Sequence, residues 1–352
     1  MQDRMGSRPG IVLYENESYL IRPAVDTDEF RKVWWGFMQT LGWNRGYYDL
    51  DTYMNPSRGY GMILLIEKSS NTPVGHVAGI VNKNSTGWVS MFIIDERHRG
   101  NGLGRELFKA AEYDLARNGV ECIGLDGVVE QKQTYERRNF VSSPLGTIRI
   151  MIRPLVEKDP VPRPQLPEGS QMIDIRDVPP ELLAEHELSI TGFERPALWA
   201  GEHLFHRPDV QGVALVLTSN PTSAKDLGGW AVNRRCSGGV RIGPVYATDP
   251  ASARAILVAT MELARVEAIR SVPLPNEKMN DFTAEQIIEQ ATLVSEVWGG
   301  NADAVDLFGQ LGWKPAGVDY YRMWVDGEAT LEQSKDGAAQ KSVYAIFDAA
   351  TG

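Results

Sequence analysis

The sequence predicts an α/β protein made of two copies of one fold, each a mixed β-sheet with helices on both faces. Three observations support this prediction. In each half, short apolar strands come first as hairpins and later as strand–helix–strand units, which needs antiparallel and parallel pairing in one sheet. A proline-rich segment separates the halves. The same landmarks recur in the same order on both sides of it, which indicates a tandem duplication.

The boundary between the halves lies in residues 154–170, a segment with five prolines. Proline fixes φ and lacks an N–H, so this segment favours an extended, semi-rigid linker over a helix or a central strand. A chain of 352 residues is long enough for two domains of ordinary size. We therefore predict an N-terminal domain over residues 1–155, a linker over 156–170 and a C-terminal domain over 171–352.

The elements of the first half follow from apolar periodicity and from the signals at their ends. Tyr19–Arg22 is predicted as a strand that Pro23 ends, and Asp28 is predicted to cap a helix through Trp34 and Trp35. Further strands are predicted at Met62–Ile66, Val74–Asn82, Trp88–Ile94, Cys122–Leu125 and Thr147–Ile152, and helices at Gly102–Asn118 and Gln131–Arg138.

The second half repeats this plan with weaker similarity. Ala253–Leu257 parallels the start of the helix at Gly102, and Asp306–Trp313 parallels the stretch that ends at Phe140. Strands are predicted at Met172–Arg176, Val213–Leu217, Gly229–Val232 and Val240–Tyr246.

Composition excludes several classes of protein. The formal net charge of −10 and the pI of about 5.2 argue against a general nucleic-acid binder, which needs a basic face. No apolar stretch is long enough to cross a bilayer, and the N-terminus does not resemble a signal peptide. With Cys122 and Cys236 in different halves, we expect no disulfide framework, no structural metal and a cytoplasmic location.

The most informative stretch is Asp95–Gly104, between an apolar strand and a helix. Its three glycines let the backbone turn tightly and approach a ligand, and the start of the following helix favours an anion such as a diphosphate. An ordinary glycine-rich turn is the alternative, because a lone glycine pattern is weak. A Walker loop would continue with Lys and Ser or Thr in place of Arg105–Glu106. A Rossmann fingerprint would follow the first strand of a parallel unit.

In this context the sequence resembles the GCN5-related N-acetyltransferase (GNAT) superfamily over about Tyr19–Arg153. Arg99–Gly104 matches its pyrophosphate-binding signature, R/Q-x-x-G-x-G/A, and Tyr135–Phe140 is similar to the end of its fourth helix. The second half is similar to the C-terminal domain of a tandem subgroup, through Arg241–Ala247, Val272–Asn276 and Tyr321–Trp324.

The resemblance implies two tandem GNAT folds, each with a splayed sheet, and acetyl-CoA as co-substrate. In the tandem subgroup's pattern, Val343–Phe347 is a returning strand and Glu277–Gly300 is an extra segment, for which we predict an added helix. The backbone of Phe92, Ile93 and Ile94 would pair with pantetheine, while their side chains are expected to be core. The diphosphate would be held by Arg99, Gly100, Asn101, Gly102, Leu103 and Gly104.

Tyr135 and Asp126 are the catalytic candidates that the resemblance implies. The family often uses a tyrosine at the position of Tyr135 to protonate the departing thiolate, and packing against the sheet is the alternative. Asp126 would deprotonate or anchor the incoming ammonium, although capping the next turn explains it as well. Val128 stands where the family often has Asn, so one customary cofactor contact is missing.

The predicted activity is transfer of acetyl from acetyl-CoA to a primary amine of a small molecule by direct attack on the thioester. An acyl-CoA sensor without turnover and a protein lysine acetyltransferase are the alternatives. Aromatic residues between Trp34 and Tyr60, with Asp49 and Asp51 among them, suit an amine with an apolar body or else form a helix core. We expect a monomer or a homodimer.

The second half is predicted not to bind acetyl-CoA productively. Where the first half has its glycines, the second has Thr248–Ala253, in which Pro250 removes a backbone donor. Phe308, which has no proton to give, stands opposite Tyr135.

Overall fold

The computed structural model describes residues 11–54, 61–155, 166–200, 203–264 and 291–352. Among these residues, fourteen strands form one continuous mixed sheet flanked by helices, which confirms the predicted fold class. The strands are β1 (Tyr14–Glu15), β2 (Tyr19–Pro23), β3 (Met62–Glu67), β4 (Thr72–Val81), β5 (Thr86–Ile94), β6 (Cys122–Val128), β7 (Phe140–Pro154), β8 (Gln171–Asp174), β9 (Val210–Val216), β10 (Leu227–Cys236), β11 (Gly239–Ala247), β12 (Thr292–Trp298), β13 (Lys314–Val325) and β14 (Val343–Ala345).

The helices cover apolar side chains that alternate along the strands. In β3, Ile63 and Leu65 pack with the helix that starts at Leu103, whereas Met62 and Leu64 pack with the first helix, on the opposite face. The helices are α1 (Thr27–Leu41), α2 (Asp49–Met54), α3 (Leu103–Arg117), α4 (Lys132–Glu136), α5 (Pro180–Thr191), α6 (Pro196–Trp199), α7 (Pro250–Leu263), α8 (Ala302–Gln310) and α9 (Ala339–Ser342).

The order of strands in the sheet is β1-β2-β3-β4-β5-β6-β13-β7-β12-β14-β11-β10-β9-β8. The last strand of the second half, β13, therefore lies between β6 and β7 of the first half. In return, β7 lies between β13 and β12. The two halves thus share one sheet, and the wall of any site at the carboxyl end of β6 comes from both.

Strands β5 and β6 are paired in parallel only at their starts. Their register covers Thr86–Trp88 against Cys122–Gly124, and no further pairing joins them in the described residues. Beyond Trp88 the strands diverge, which opens a gap in the sheet between Val89–Ile94 and Leu125–Val128.

Two sequence-based expectations are corrected. The N-cap of α1 is Asp26, whose carboxylate accepts from the backbone N–H of Glu29 at 2.7 Å. Asp28 lies in the first turn, where an acidic residue suits the helix dipole. The added helix predicted over Glu277–Gly300 is wrong for its last part, because Thr292–Trp298 is β12, paired with both β7 and β11.

The rest of that segment, residues 277–290, lies outside the described residues, as do 272–276 and most of the predicted linker. β7 ends at Pro154 and β8 begins at Gln171, on either side of the predicted linker. The division into domains at those residues stays a prediction.

Candidate functional site

The glycine-rich turn has the backbone geometry that the sequence predicted. Gly100 and Gly102 have φ values of +85° and +75°, which other residues adopt only with strain. Gly102 is the N-cap of α3 and has no side chain to satisfy the helix's first N–H groups. A Cβ at either glycine would meet no atom within 4 Å. The turn therefore leaves open space in front of unpaired backbone donors, as an anion site requires.

A groove of about 770 Å³ runs past this turn. Its lining includes four basic side chains, Arg105, Lys109, Arg137 and Arg138, and one acidic side chain, Glu112. Arg138 stacks on the Phe108 ring at 4.3 Å and lies 3.6 Å from Glu112. The sequence analysis missed these basic residues. Arg105 directly follows the stretch Arg99–Gly104, and Arg137 and Arg138 lie within Tyr135–Phe140, so the basic charges in and beside these motifs were the signal that could have found them.

Arg99, at the first position of the predicted signature, points elsewhere in this structure. Its Nε donates to the carbonyl of Ile94 at 2.9 Å. Ile93 and Ile94 pair with His76 and Gly75 of β4, and neither lines the groove or the cavity described next. Phe92 alone of the predicted pantetheine-pairing residues lines both.

A second cavity, of about 570 Å³, opens in the gap between β5 and β6. Phe92 lines both this cavity and the groove. Residues from both halves line it: Trp34, Met38, Trp43, Asn44, Arg45 and Tyr53 from the helical region; Val89–Phe92 and Leu125–Val128 from the diverging strands; Tyr135, Ile150 and Ile152; and Arg241, Thr292, Val294, Glu296, Val318, Tyr320, Ala349 and Ala350 from the second half.

A β-bulge shapes the strand that borders this cavity. The register between β4 and β5 shifts between His76 and Ala78, and Met91 has a φ of +51°. A bulge with a left-handed residue redirects the backbone N–H groups next to it. The buried Ser90 hydroxyl, which also lines the cavity, has no hydrogen-bond partner among the described residues.

Tyr135 lies on α4 and lines the cavity. Its ring packs near Phe108 and Phe140, with centroids 6.0 and 6.4 Å apart. A Cβ on Gly127 would lie 2.6 Å from the Tyr135 ring, so that glycine makes room for the tyrosine. Burial raises the pKa of the phenol to about 12. Asn139 ends this segment with a φ of +61°, the left-handed conformation expected for an Asn in place of glycine.

Asp126 is held in a buried ion pair. Arg322 of β13 donates from Nε and Nη2 to its two carboxylate oxygens at 2.9 and 2.7 Å. The Asp126 side chain has 0% exposure, and its pKa is raised, chiefly by burial, although Arg322 lowers it. Arg322 also donates to Gln333 and stacks between Trp88 and Trp298. With both oxygens engaged, Asp126 is not positioned to accept a proton from an incoming amine in this conformation.

The opposite end of the cavity is polar and comes mainly from the second half. Arg241 donates to Glu296 at 2.7 Å and to the carbonyl of Asn44 at 2.7 Å. Arg45 donates to Asp348 at 2.6 Å and lies 3.4 Å from Glu296. Although burial by itself disfavours ionised Asp348, the arginines around it hold its pKa below the usual range. Arg241 begins a stretch that indicated the tandem subgroup, but no local motif assigned Arg45, Arg241, Glu296 or Asp348 to a site, which is why sequence analysis missed them.

The segment between Trp34 and Tyr60 contributes aromatic rings to the cavity, but its carboxylates, Asp49 and Asp51, do not line the cavity. Trp34, Trp43 and Tyr53 line the cavity, whereas Tyr60 lies outside the described residues. Asp49 accepts from Arg207 at 3.0 Å, and Asp51 accepts from Arg31 on the surface. The two acids expected beside an amine are therefore paired with arginines.

The second half lacks an open turn at the corresponding place. Asp249 caps α7, and its Oδ1 accepts from the N–H groups of Ala251 and Ser252 at 2.9 Å each. This carboxylate occupies the donors that would otherwise face a phosphate. Phe308, opposite Tyr135, is buried against Trp313.

The comparisons with known proteins agree with this architecture. The model of the acetyltransferase (GNAT) family matches residues 27–140, and that of an acetyltransferase (GNAT) domain matches residues 214–298. The class of protein that the fold and the site define is therefore an acetyltransferase of the GNAT type. The chain belongs to the GNAT superfamily as a tandem-domain member. No curated protein matches the sequence.

Several solved structures share the fold at low sequence identity. A putative acetyltransferase from Pyrococcus horikoshii is 17% identical, with a TM-score of 0.65 over 96% of this chain and 98% of its own. A GCN5-related N-acetyltransferase from Sphaerobacter thermophilus is 15% identical (TM-score 0.57, 88% and 96% covered). A tandem GNAT protein from the clavulanic acid biosynthesis pathway is 12% identical (TM-score 0.57, 89% and 99% covered). These likenesses support the fold alone.

The described residues contain neither a membrane-spanning helix nor a metal-binding cluster. No helix among them is long and apolar enough to cross a membrane. No cluster of three His, Cys, Asp or Glu side chains among them could hold a metal ion.

Proposed function

We propose that the protein transfers acetyl from acetyl-CoA to a primary amine of a small molecule. One observation carries this proposal: Phe92 lines both the basic groove at the glycine turn and the cavity between the splayed strands, and the cavity is also lined by Tyr135, which can donate a proton. A donor in the groove and an acceptor in the cavity would then meet at one point. A cavity of about 570 Å³ suits a small molecule.

Each part of the site has a defined role in this proposal. The backbone N–H groups after Gly102, with Arg105, Arg137 and Arg138, would hold the phosphates of acetyl-CoA. A backbone N–H beside the Met91 bulge would donate to the thioester oxygen as negative charge develops there. Tyr135 would protonate the departing thiolate.

The proton lost by the amine is expected to pass to water. Among the described residues that line the cavity, the two carboxylates are Asp126 and Glu296, and both accept from arginines. We therefore propose that Asp126 holds the Arg322 side chain in position and does not itself accept the proton.

The two free cysteines support a reducing, cytoplasmic location for this enzyme.

Thiol release tests the proposal directly. The full chain is mixed with acetyl-CoA and a panel of primary amines, and free CoA and acetylated amine are both measured. We expect equal amounts of the two products with at least one amine. Tight binding of acetyl-CoA with no product from any amine would refute catalysis and favour a sensor.

The pH dependence of turnover should follow the titration of the acceptor amine and not that of Tyr135, the proposed general acid. Because the pKa of Tyr135 is raised to about 12, its phenol keeps its proton from neutral pH to about pH 10. We expect kcat/KM to rise with pH until the acceptor amine is neutral, with no falling limb below about pH 10. A falling limb near pH 8 that Tyr135→Phe abolishes would contradict this assignment.

Gly102→Ala should weaken the binding of acetyl-CoA. A Cβ at residue 102 meets no protein atom within 4 Å, but it projects into the groove. The alanine must also adopt the left-handed backbone conformation, which costs about 1–2 kcal/mol. We expect the Kd measured by calorimetry to rise roughly 10-fold. Gly36→Ala is the control, because Gly36 lies on the exposed face of α1 with nothing within 4 Å. An unchanged Kd for Gly102→Ala would rule out this turn as the phosphate site.

A further inference from the structure

We infer that the acceptor carries a carboxylate, bound by Arg45 and Arg241, and that an apolar spacer of several bonds separates it from the amine that is acetylated. This inference rests on the proposed function and names the substrate class for the same site. Three features of the cavity carry it: the donors and charges of two buried arginines, the lateral distance across the sheet, and the apolar wall between the two ends.

Both arginines have side-chain nitrogens that donate to no side chain among the described residues. In Arg241, the buried Nε has no hydrogen-bond partner among the described residues, although Nη1 and Nη2 donate to Glu296 and Asn44. In Arg45, the hydrogen bonds to described side chains leave from Nη1 alone. The Arg241 Nε is enclosed by protein, so an anion in the cavity would accept hydrogen bonds from Arg45 and be attracted by the charge of Arg241, since both side chains line the cavity.

The charges that line this end favour an anion. At this end Arg45 and Arg241 line the cavity with one carboxylate, Glu296, whereas Asp126, the other carboxylate among the described lining residues, lies on β6 at the far end. The other acid nearby, Asp348, does not line it and also accepts from Tyr53 and Arg234. A carboxylate suits the site better than a phosphate, because a dianion would meet stronger repulsion from Glu296. The planar guanidinium fork also matches a carboxylate.

The strand register sets the distance between the end of the cavity beside Tyr135 and the end that contains Arg241. Tyr320 of β13 lies opposite Val128 of β6, Ile150 of β7 opposite Glu296 of β12, and Val294 of β12 opposite Arg241 of β11. Neighbouring strands lie about 4.8 Å apart, so three steps from β6 to β12 span about 14 Å. Long arginine side chains shorten this span. Even so, an α-amino acid cannot place its carboxylate on Arg241 and its amine beside Tyr135 at once.

The wall between the ends is apolar. Its side chains are Ile150, Ile152, Val294, Val318 and Tyr320. They come from alternate positions of their strands, so they share one face of the sheet. A methylene chain or a benzene ring fits this wall, whereas a polar spacer would lose its hydration there. The structure thus assigns three requirements to the acceptor: an amine, an apolar middle and a carboxylate.

Matched acceptors test this inference on the unaltered protein. Initial rates with acetyl-CoA are compared for 6-aminohexanoate against 6-aminohexanamide, and for 4-(aminomethyl)benzoate against benzylamine. We expect kcat/KM to be at least about 10-fold higher for the acid of each pair, as for one charge-assisted hydrogen bond. Glycine should be a poor acceptor. Equal rates for acid and neutral analogue, or a preference for the neutral one, would overturn the inference while leaving acetyl transfer intact.

Arg241→Gln tests the arginine itself. We expect the preference for 6-aminohexanoate over 6-aminohexanamide to fall roughly 10- to 100-fold, chiefly through KM. Arg176→Gln is the control, because Arg176 forms an exposed ion pair with Asp174 and should keep the preference. Arg241→Lys retains the charge and should retain part of the preference. A purely structural role for Arg241 would lower the rates of both acceptors by one factor, contrary to the inference.

A binding measurement separates this inference from the proposed function. If no amine is acetylated, the proposed function fails, and calorimetry with 4-methylbenzoate and 4-methylbenzamide still tests the cavity. We expect the carboxylate to bind at least about 10-fold more tightly. Equal affinity of the two ligands would refute the carboxylate site.

Discussion

Tyr135→Phe is expected to lower kcat roughly 100- to 1,000-fold, as for loss of a general acid. Tyr135 lines the cavity, and the raised pKa of its phenol keeps the proton available at neutral pH. The ring packs near Phe108 and Phe140, and phenylalanine preserves that packing. Steady-state and single-turnover rates at saturating acetyl-CoA measure the effect, and calorimetry should give an unchanged Kd for acetyl-CoA.

Tyr113→Phe is the matched control for this variant. Tyr113 lies on α3 with 58% of its surface exposed, so loss of its hydroxyl should leave kcat unaltered. If Tyr135→Phe keeps full kcat while binding acetyl-CoA normally, then Tyr135 is not the acid and water protonates the thiolate. A loss of acetyl-CoA affinity without a loss of kcat would assign Tyr135 to binding only.

Asp126→Asn is expected to lower the free energy of unfolding by about 3–5 kcal/mol, as for a buried ion pair that loses one partner. Arg322 cannot shed its charge; its side chain is 3% exposed and two of its nitrogens donate to Asp126. The pair joins β6 of the first half to β13 of the second, so its loss weakens the seam between them. Urea denaturation followed by tryptophan fluorescence measures the change.

Two comparisons decide what Asp126 does. Asp174→Asn breaks an exposed pair with Arg176 and should cost less than about 1 kcal/mol. Asp126→Asn combined with Arg322→Met should recover much of the lost stability, since no lone buried charge remains. If Asp126→Asn is as stable as the parent protein and yet loses kcat by itself, the catalytic role predicted from sequence is correct and the positioning role is wrong.

Local sequence was sufficient to predict those parts of the site whose residues are contiguous in the chain. The turn at residues 99–104 owes its shape to glycines with positive φ beside a helix start. Those requirements concern neighbouring residues only. For the same reason, the absence of these glycines from Thr248–Ala253 predicted that the second half does not bind acetyl-CoA productively; in the structure Asp249 caps α7 there.

Contacts between distant residues could not be predicted in this way. From the local sequence, Asp126 is predicted to be a carboxylate without a partner at the end of a strand. In the structure it pairs with Arg322, which is 196 residues further along the chain. Glu296 lies in a segment that the sequence pattern assigned to a helix. Its strand is stabilised by pairing with β7 and β11, and tertiary pairing of this kind overrides local preference.

The sequence by itself determined the superfamily, the tandem mixed α/β fold and the glycine turn, because backbone conformation and apolar periodicity are local properties. Only the tertiary structure decided which half supplies each wall of the cavity and which charged side chains pair with one another there. The exchange of β7 and β13 places Arg322 on Asp126 and brings Arg241 and Glu296 into the cavity. Strand order depends on pairing energies summed over the whole sheet, and no short stretch of sequence contains that sum.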